Sequence, residues 1–450
     1  MRLTIRNVTM MDDTRTDIVI ERGQIARVGP GPDMEGTSID GAGMTALPGL
    51  HDRHIHLLAA AARARSIDLA AASIEAAIID LLRAPRAAAM LRATGYDERA
   101  AGLPDRAVLD RWEPDRPLRV QDRTGALWVL NSAALALLPS GGLPEGAERD
   151  ASGALTGRFW RCDQWLAGAL PSPPPDLAAL RTELARYGVT AVTDAGAHNG
   201  PAEAALLAGA LPQRVTLMGG EALAEGPGYV RGPLKLLLDE RALPASAATA
   251  RRIAGARRQG RTVAAHCVTL PELAHFLAAL DEDGGARAGD RIEHGGIIPA
   301  GFVPALAKAG LTVVTNPGFL HARGDRYVAA VPADEQHDLY RAARLMAAGI
   351  PVLAASDAPY GPLDPWQGML SACDRVTATG ARIGAAERID AAAALAMWLG
   401  PALAPGAPAD IVLCRGMPTE ILAELSAGRV AMTLIGGKIV YRDRQRPTGA

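Results

Sequence analysis

The chain has 450 residues, of which 49% are hydrophobic and 21% charged, and its net charge at pH 7 is −2. This composition supports a large buried core and excludes general disorder. Because the charge provides no basic field, we expect neither nucleic acid nor an anionic membrane as a partner. No apolar run reaches the roughly 18 residues that span a bilayer. The four cysteines are scattered, which is typical of reduced thiols and predicts a cytoplasmic protein.

The two ends of the chain share a sequence pattern typical of short strands. Residues 1–48 and 404–450 contain short runs that alternate apolar and polar residues between Gly, Pro and Asp turns. Chain termini often lie close together in a compact protein. These two segments therefore predict one small β-sandwich domain formed by both termini.

Residues 49–403 alternate between short apolar runs and Ala- and Leu-rich helical stretches. This alternation predicts a parallel sheet with helices outside it. Eight runs qualify as strands: TALPGLHDRHIH, GVTAVTDAG, QRVTLMGGE, PLKLLLDE, RTVAAHC, DRIEHGG, GLTVVTNPG and PVLAASDAP. Eight such strands predict an α/β fold of the (β/α)8 TIM barrel type. Residues 57–175 are too many for one loop, and we expect them to form a cap-like insertion after barrel strand 1.

Histidines at the ends of the predicted strands are the strongest local signal. His54 and His56 are separated by one residue, so both side chains point the same way at the end of the first strand. His266, His294 and Asp357 each follow another apolar run. The C-terminal strand ends of a barrel meet at one mouth, and imidazoles with a carboxylate suit Zn²⁺ or a similar ion. Independent capping roles are the alternative, but the coincidence favours a metal site.

Lys235 lies inside an almost wholly apolar predicted strand, PLKLLL. Only three of the 47 basic residues are lysines, so arginine is the usual cation of this chain. A buried ammonium group is costly unless it is paired or neutralised. Lysine, unlike arginine, can become a neutral and reactive amine when it is desolvated. The alternative is a lysine that reaches solvent from a strand end.

Several further side chains are candidates near the barrel mouth. Arginine there could bind a substrate carboxylate with two hydrogen bonds, whereas a surface ion pair is the alternative. Glu293 has the opposite strand parity from His294, so we expect it to pair with Arg291 in the barrel shell. Asp52 is a candidate for orienting a metal-bound imidazole. The predicted substrate-binding residues are His198, His321, Trp160, Arg161 and Arg323.

The order of these motifs resembles the amidohydrolase superfamily. PG-x-x-D-x-HxH, a strand lysine, a strand-end histidine, EHG and SDAP follow one another, and the terminal APADIVL and IGGKIVY runs extend the match over nearly the whole chain. Within the superfamily, the chain resembles the N-substituted-formamide-deformylase-like branch, often labelled amidohydrolase 3.

The resemblance implies a metal-dependent hydrolase that acts on a C–N bond other than a peptide bond, in a non-peptide amide, a cyclic amide or an N-acyl group of a small molecule. It implies one or two Zn²⁺ ions, with two favoured, and these ligands: His54, His56, Lys235, His266, His294 and Asp357. The first two histidines would bind the more buried ion with Asp357, and the last two histidines the second ion. Lys235 would react with CO₂ to give a carbamate that bridges both ions. Asp357 would also be catalytic, taking a proton from metal-bound water and passing it to the leaving group.

The chain departs from the branch on the substrate side. The Asp-Gly that often follows the strand lysine is replaced here by LLLDE, and a Gly-His pair in the insertion is replaced by Gly125-Ala126. The segment Gly157–Arg161 lacks the glutamate of the branch. We therefore expect an altered pocket, and the substrate is not carried over from relatives.

Three other functions stay open from the sequence. An aminoheterocycle deaminase would use one ion and no carbamate, and an N-acyl-amino-acid deacylase would also use a mononuclear site. A non-enzymatic barrel is disfavoured, because all six ligand positions carry competent residues. A homo-oligomer is compatible with each of these.

Overall fold

The computed structural model describes residues 2–30, 36–86, 88–139, 141–171 and 176–443. Contacts divide the chain into two compact units. One unit comprises Met1–Leu57 and Leu177–Ala450, and the other comprises Leu58–Asp176. Among the described residues, none of the helices combines the length and the apolar character that a bilayer crossing requires.

The described strands are, in chain order, β1 (Arg2–Thr9), β2 (Arg15–Glu21), β3 (Gln24–Val28), β4 (Thr37–Asp40), β5 (Met44–Pro48), β6 (Leu50–Ile55), β7 (Ile67–Asp68), β8 (Leu91–Tyr96), β9 (Leu118–Asp122), β10 (Leu127–Leu130), β11 (Ala147–Arg149), β12 (Leu155–Trp160), β13 (Val189–Asp194), β14 (Arg214–Gly219), β15 (Val230–Leu236), β16 (Val263–Cys267), β17 (Arg291–His294), β18 (Thr312–Thr315), β19 (Val352–Ala354), β20 (Ile411–Arg415), β21 (Val430–Ile435) and β22 (Lys438–Arg442).

The described α-helices are, in chain order, α1 (Leu57–Ala64), α2 (Glu75–Arg83), α3 (Arg106–Trp112), α4 (Ser132–Leu135), α5 (Asp163–Ala169), α6 (Ala178–Arg186), α7 (Pro201–Leu207), α8 (Ser246–Arg258), α9 (Leu270–Glu282), α10 (Val303–Ala309), α11 (Gly318–Ala330), α12 (Ala343–Ala347), α13 (Pro365–Asp374), α14 (Ala391–Ala396) and α15 (Pro418–Ala423).

The eight predicted barrel runs all form strands. They make one parallel sheet of order β6-β13-β14-β15-β16-β17-β18-β19 with helices along it. Parallel strands covered on both faces read as continuous apolar runs, which explains why the sequence revealed them. The α/β fold class with a TIM barrel is therefore confirmed.

Both chain ends contribute to a second, eight-stranded sheet of order β22-β21-β20-β5-β1-β2-β3, with β4 beside β1. The C-terminal part joins the N-terminal part where β20 pairs antiparallel with β5. Alternate side chains bury an aliphatic cluster that includes Ile5, Ile18, Ile411 and Leu434. The sheet predicted from both termini is therefore present, and its description as a separate β-sandwich domain with the predicted boundaries stays a prediction.

Helix α9 shows how the chain turns away from the barrel mouth. Glu272, in the first turn of the helix, accepts hydrogen bonds from the backbone N–H groups of Val268 (2.7 Å) and Thr269 (3.1 Å). These bonds satisfy backbone donors that precede the helix. The turn therefore begins directly after β16 and leaves His266 at the strand end.

The inserted unit has a core of its own. Its sheet has the order β11-β12-β10-β9-β8-β7, and its core includes Leu109, Trp112 and Val120. Buried Asn131 accepts from the N–H of Leu118 (2.9 Å) and donates to the carbonyl of Arg116 (2.8 Å). The insertion is thus a folded segment, and its role as a cap stays a prediction.

Replacing Asp290 with alanine is expected to destabilise the barrel by about 3–5 kcal/mol, because it breaks a buried ion pair with Arg257, whose remaining carboxylate partner, Asp283, lies farther away at 3.5 Å. Asp290 is fully buried, and both of its oxygens accept hydrogen bonds from Arg257. It also accepts from the N–H of Val263 (3.0 Å). Urea unfolding of the variant measures this loss. A loss below about 1 kcal/mol, within the ordinary range for a point substitution, would contradict the expectation.

Candidate metal centre

Three predicted ligands meet where the first and last barrel strands come together. His54 and His56 lie at the end of β6, and Asp357 follows β19. The N–H of Asp357 donates to the carbonyl of His54 (2.8 Å), and the N–H of His56 donates to the carbonyl of Ala358 (2.9 Å). Oδ1 of Asp357 lies 3.2 Å from Nε2 of His56 and 3.5 Å from Nε2 of His54. One ligand atom from each residue lies within 4.8 Å of the others, a spacing that can hold one ion.

A buried carboxylate reinforces this seam between β6 and β19. Asp52 accepts from the N–H groups of His54 (3.3 Å) and Ser356 (3.0 Å) and from the Ser356 hydroxyl (2.5 Å). Burial raises the pKa of Asp52 to about 6, although the hydrogen bonds from Ser356 oppose that rise. Asp52 therefore contacts backbone N–H groups and the Ser356 hydroxyl next to the predicted ligands. The sequence had instead suggested contact with an imidazole.

His294 and His266 extend the cluster. The ring centroid of His294 lies 4.7 Å from that of His54 and 4.6 Å from that of His266. Nδ1 of His294 lies 2.8 Å from Oδ1 of Asn316, whose amide donates to the carbonyl of Ala355 (3.2 Å). Asn316 was missed from the sequence, although a polar residue directly after the apolar strand TVVT was an available signal.

Two of these residues have left-handed backbone conformations. The φ angle is 72° at His294 and 53° at Asp357. A non-glycine residue in such a region costs about 1–3 kcal/mol and is found mostly where function requires it. Each of the two lies at the end of a strand, where the turn directs its side chain toward the cluster.

Lys235 projects from β15 into the same region, and it is 2% exposed. Its Nζ makes no hydrogen bond to any residue that the structure describes. Burial lowers the pKa of Lys235, while the charges of Glu293 and Asp357 act in the opposite direction. Burial therefore favours the neutral form of the amine, and it outweighs the opposing effect of the two carboxylates.

Metal ligands must be neutral imidazoles or ionised carboxylates. The pKa shifts at His54, His294 and Asp357 favour those forms, whereas the contact of His56 with Asp357 favours a protonated ring that would have to lose its proton to bind an ion. Burial lowers the pKa of His294, and it lowers that of His54 well below its usual range. Burial also disfavours charge on His56 and Asp357. Their mutual contact outweighs it, so that the pKa of His56 is raised and that of Asp357 is lowered.

Glu293 joins the cluster from the barrel interior. Nε of Arg291 donates to its Oε1 (2.5 Å), the ion pair expected from the sequence. Its other oxygen accepts from Nδ1 of His54, and its side chain is fully buried. The sequence signal was an acidic residue directly before a strand-end histidine, but its contact with His54 was not anticipated.

The substrate-side candidates of the barrel differ in exposure. Arg323 in α11 donates to the carbonyl of Tyr360 (2.6 Å) and stacks over the Phe319 ring (4.1 Å). Contacts with His56 and the charge of His294 lower the pKa of Asp357 against its burial, and the charge of Arg323 adds to that effect. His321 is half-buried in the same helix, and His198 is exposed after β13. Their contact with substrate stays a prediction.

Trp160 and Arg161 lie in the inserted unit. Trp160 ends β12, and its indole N–H donates to Glu148 (3.2 Å). Arg161 follows it and is exposed. Their predicted role in the substrate pocket is not decided by these contacts.

The model of a family described as the amidohydrolase family, Amidohydro_3, matches residues 37–441. The chain belongs to the amidohydrolase family. The resemblance drawn from the motifs is thus confirmed, and this amidohydrolase is a hydrolytic enzyme.

Known relatives agree with that assignment. This amidohydrolase is 25% identical to N-substituted formamide deformylase of Arthrobacter pascens in an alignment of 478 positions, gaps included, that covers 89% of this chain and 88% of the relative. An uncharacterized metal-dependent hydrolase from Pyrococcus horikoshii OT3 shares its fold with a TM-score of 0.75 and 17% identity, over 96% of this chain and all of that chain. A mutant atrazine chlorohydrolase from Arthrobacter aurescens TC1, complexed with zinc and atraton, gives a TM-score of 0.55 and 16% identity, over 100% of this chain and 97% of that chain.

Proposed function

We propose that this amidohydrolase cleaves a C–N bond of a small molecule, in a non-peptide amide, a cyclic amide or an N-acyl group. The observation that carries the proposal is the convergence of His54, His56 and Asp357 in the region of the buried Lys235. Its amine has no hydrogen-bond partner among the described residues. The relative named N-substituted formamide deformylase supports a non-peptide C–N bond as the target.

The side chains fit divalent ions such as Zn²⁺, which prefers imidazole nitrogen and carboxylate oxygen. His54, His56 and Asp357 would hold one ion, and their ligand atoms are already close together. His266 and His294 would hold a second ion, and we favour two ions over one. A buried amine without a hydrogen-bond partner is costly. Because Nζ of Lys235 has none within the described part of the chain, a further group is expected beside it.

That group is a carbamate on Lys235. The lone pair of the neutral amine attacks the carbon of CO₂, a new N–C bond forms, and one C=O π bond becomes an oxygen lone pair. The nitrogen releases one proton to solvent water, and the product carries a negative charge shared by two oxygens. The modification converts an unpaired amine into an anionic oxygen ligand, which suits a site for divalent cations.

Bound divalent ions would lower the pKa of water and polarise the scissile carbonyl. Asp357 is ionised, because the contact with His56 outweighs its burial. Its carboxylate can therefore accept a proton and later deliver it to the leaving nitrogen. His54 and His294 stay neutral, and their Nδ1 contacts with Glu293 and Asn316 hold the rings in place.

A second candidate is an N-acyl-amino-acid deacylase. It is favoured by Arg323, whose guanidinium donates to the carbonyl of Tyr360 (2.6 Å), three residues after Asp357. A guanidinium in that position could bind the carboxylate of an amino-acid product.

Metal analysis together with a substrate panel tests the proposed function. The protein, incubated with Zn²⁺ and bicarbonate, is expected to retain one or two ions per chain and to hydrolyse one of three classes: N-substituted formamides, cyclic amides or N-acyl amino acids. Hydrolysis of aminoheterocycles alone would instead favour the deaminase alternative. His54→Ala is expected to lose metal and activity. His275→Ala is the matched control, because His275 in α9 pairs with Thr249 (2.8 Å). Failure of the wild-type protein to bind zinc, or full activity in His54→Ala, would contradict the proposal.

We also propose a cytoplasmic location, which is supported by four cysteines that form no disulfide. Assembly into a homo-oligomer stays a prediction.

A further inference from the structure

We propose that Glu293 and Arg291 form a positioning pair that makes the ion position of His54, His56 and Asp357 the tighter of the two. This inference rests on the proposed metal-dependent function. It assigns a role to two charged residues that would not themselves touch the ion or the substrate.

The first step is the orientation of His54. Its Nδ1 donates to Oε2 of Glu293, so that Nε2 carries the lone pair and faces Oδ1 of Asp357 at 3.5 Å. The two side chains are almost completely buried, at 1% and 0% exposure. Because water does not compete in this environment, the contact fixes both the ring orientation and the tautomer.

The second step is the anchoring of Glu293 itself. Nε of Arg291 donates to its Oε1 (2.5 Å), and the same guanidinium donates from Nη2 to the carbonyl of Arg53 (2.8 Å). Arg53 directly precedes His54 on β6. Arg291 therefore compensates the buried carboxylate and ties it to the strand that carries the histidine ligand.

The third step is a contrast between the two ion positions. Nδ1 of His294 faces an uncharged hydrogen-bond acceptor, the amide oxygen of Asn316, at 2.8 Å. A carboxylate acceptor makes an imidazole a more basic ligand than an amide does. The position that includes His54 is therefore expected to fill first as zinc is added, and the position that includes His294 is expected to fill second.

Zinc titration of the metal-free protein against a competing chelator tests this assignment. Glu293→Gln keeps the size of the side chain but removes its charge, and it is expected to weaken the tighter position by about 10–100-fold. The weaker position should change little. The metal-free protein is expected to lose some stability, because the Arg291 guanidinium loses its charged partner, so its melting temperature is measured beside the zinc affinities.

Glu387→Gln is the matched control. Glu387 is also buried, lies 3.4 Å from the Arg341 guanidinium and accepts from the N–H of Arg344 (3.0 Å). It is likewise a buried carboxylate paired with a guanidinium, but it lies outside the cluster of predicted ligands. Zinc affinity at both ion positions is therefore expected to match the wild type. A comparable loss of affinity in this control would overturn the inference, because it would trace the effect to a buried carboxylate in general.

Arg291→Lys provides a second variant should Glu293→Gln fail to fold. Lysine can still pair with Glu293 but has no second nitrogen that could donate to the Arg53 carbonyl. Zinc affinity at the tighter position is therefore expected to fall a few fold. Unchanged zinc affinity in the folded variants would overturn the positioning role while leaving the proposed function intact. A wild-type protein that binds no zinc would overturn the proposed function, and this inference with it.

Discussion

Asp357→Asn is expected to lower kcat by about 10²–10⁴-fold, the range typical for loss of a general acid–base group. Asparagine has nearly the same shape and, like aspartate, tolerates the left-handed conformation found at φ 53°. The variant therefore removes the negative charge and the proton acceptor with little strain on the backbone. Steady-state kinetics under saturating zinc should show a large fall in kcat and a small change in KM.

Asp13→Asn is the control for the backbone conformation. Asp13 also has a left-handed backbone, with φ at 63°, and is exposed in the turn between β1 and β2. Its replacement is expected to leave kcat, KM and zinc content unchanged. If Asp357→Asn kept its kcat within about threefold of the wild type at equal zinc content, Asp357 would not be the proton-transfer group.

Lys235→Met is expected to lower activity by about 100-fold or more while the metal-free protein becomes more stable. Loss of an ion ligand removes several kcal/mol of charge stabilisation, and each 1.36 kcal/mol is tenfold in rate. The same change removes a buried amine that has no hydrogen-bond partner among the described residues. A gain of about 1–3 kcal/mol in the free energy of unfolding follows, since that is the usual penalty for such a group.

Three measurements check whether activity falls while the stability of the metal-free protein rises: zinc content per chain, hydrolysis rate, and urea unfolding in the presence of a chelator. Lys308→Met is the control, because Lys308 in α10 is exposed and should change stability by less than about 0.5 kcal/mol. Full activity with two bound ions in Lys235→Met would show that this lysine is not a ligand.

Much of this architecture could be predicted because buried parallel strands are recognisable in the sequence. Each strand is an apolar run that stops at a polar residue, as at His266 and Asp357. The lysine in β15 was recognisable for a similar reason, since a charge within an apolar run requires an explanation.

The contacts that support the cluster could not be predicted from strand parity. Glu293 precedes His294 and was expected to point away from the histidines. The left-handed backbone at His294 breaks the alternation, so that Glu293 reaches His54 from another strand while His294 also faces the cluster. Asn316 was missed because its partner, His294, lies on a neighbouring strand and only the folded barrel brings the two together.

The contact between β6 and β19 that closes the barrel has a consequence for how the protein unfolds. Asp52 and Ser356, which are bonded across it, are 304 residues apart in the chain. Bringing such distant segments together costs several kcal/mol of chain entropy, by about (3/2)RT ln n. An ion shared by His54, His56 and Asp357 would act there as a reversible cross-link, stabilising the native state in proportion to the logarithm of its free concentration. Ring closure and metal loading would then be a single linked equilibrium, and chelation would loosen the barrel first between its first and last strands.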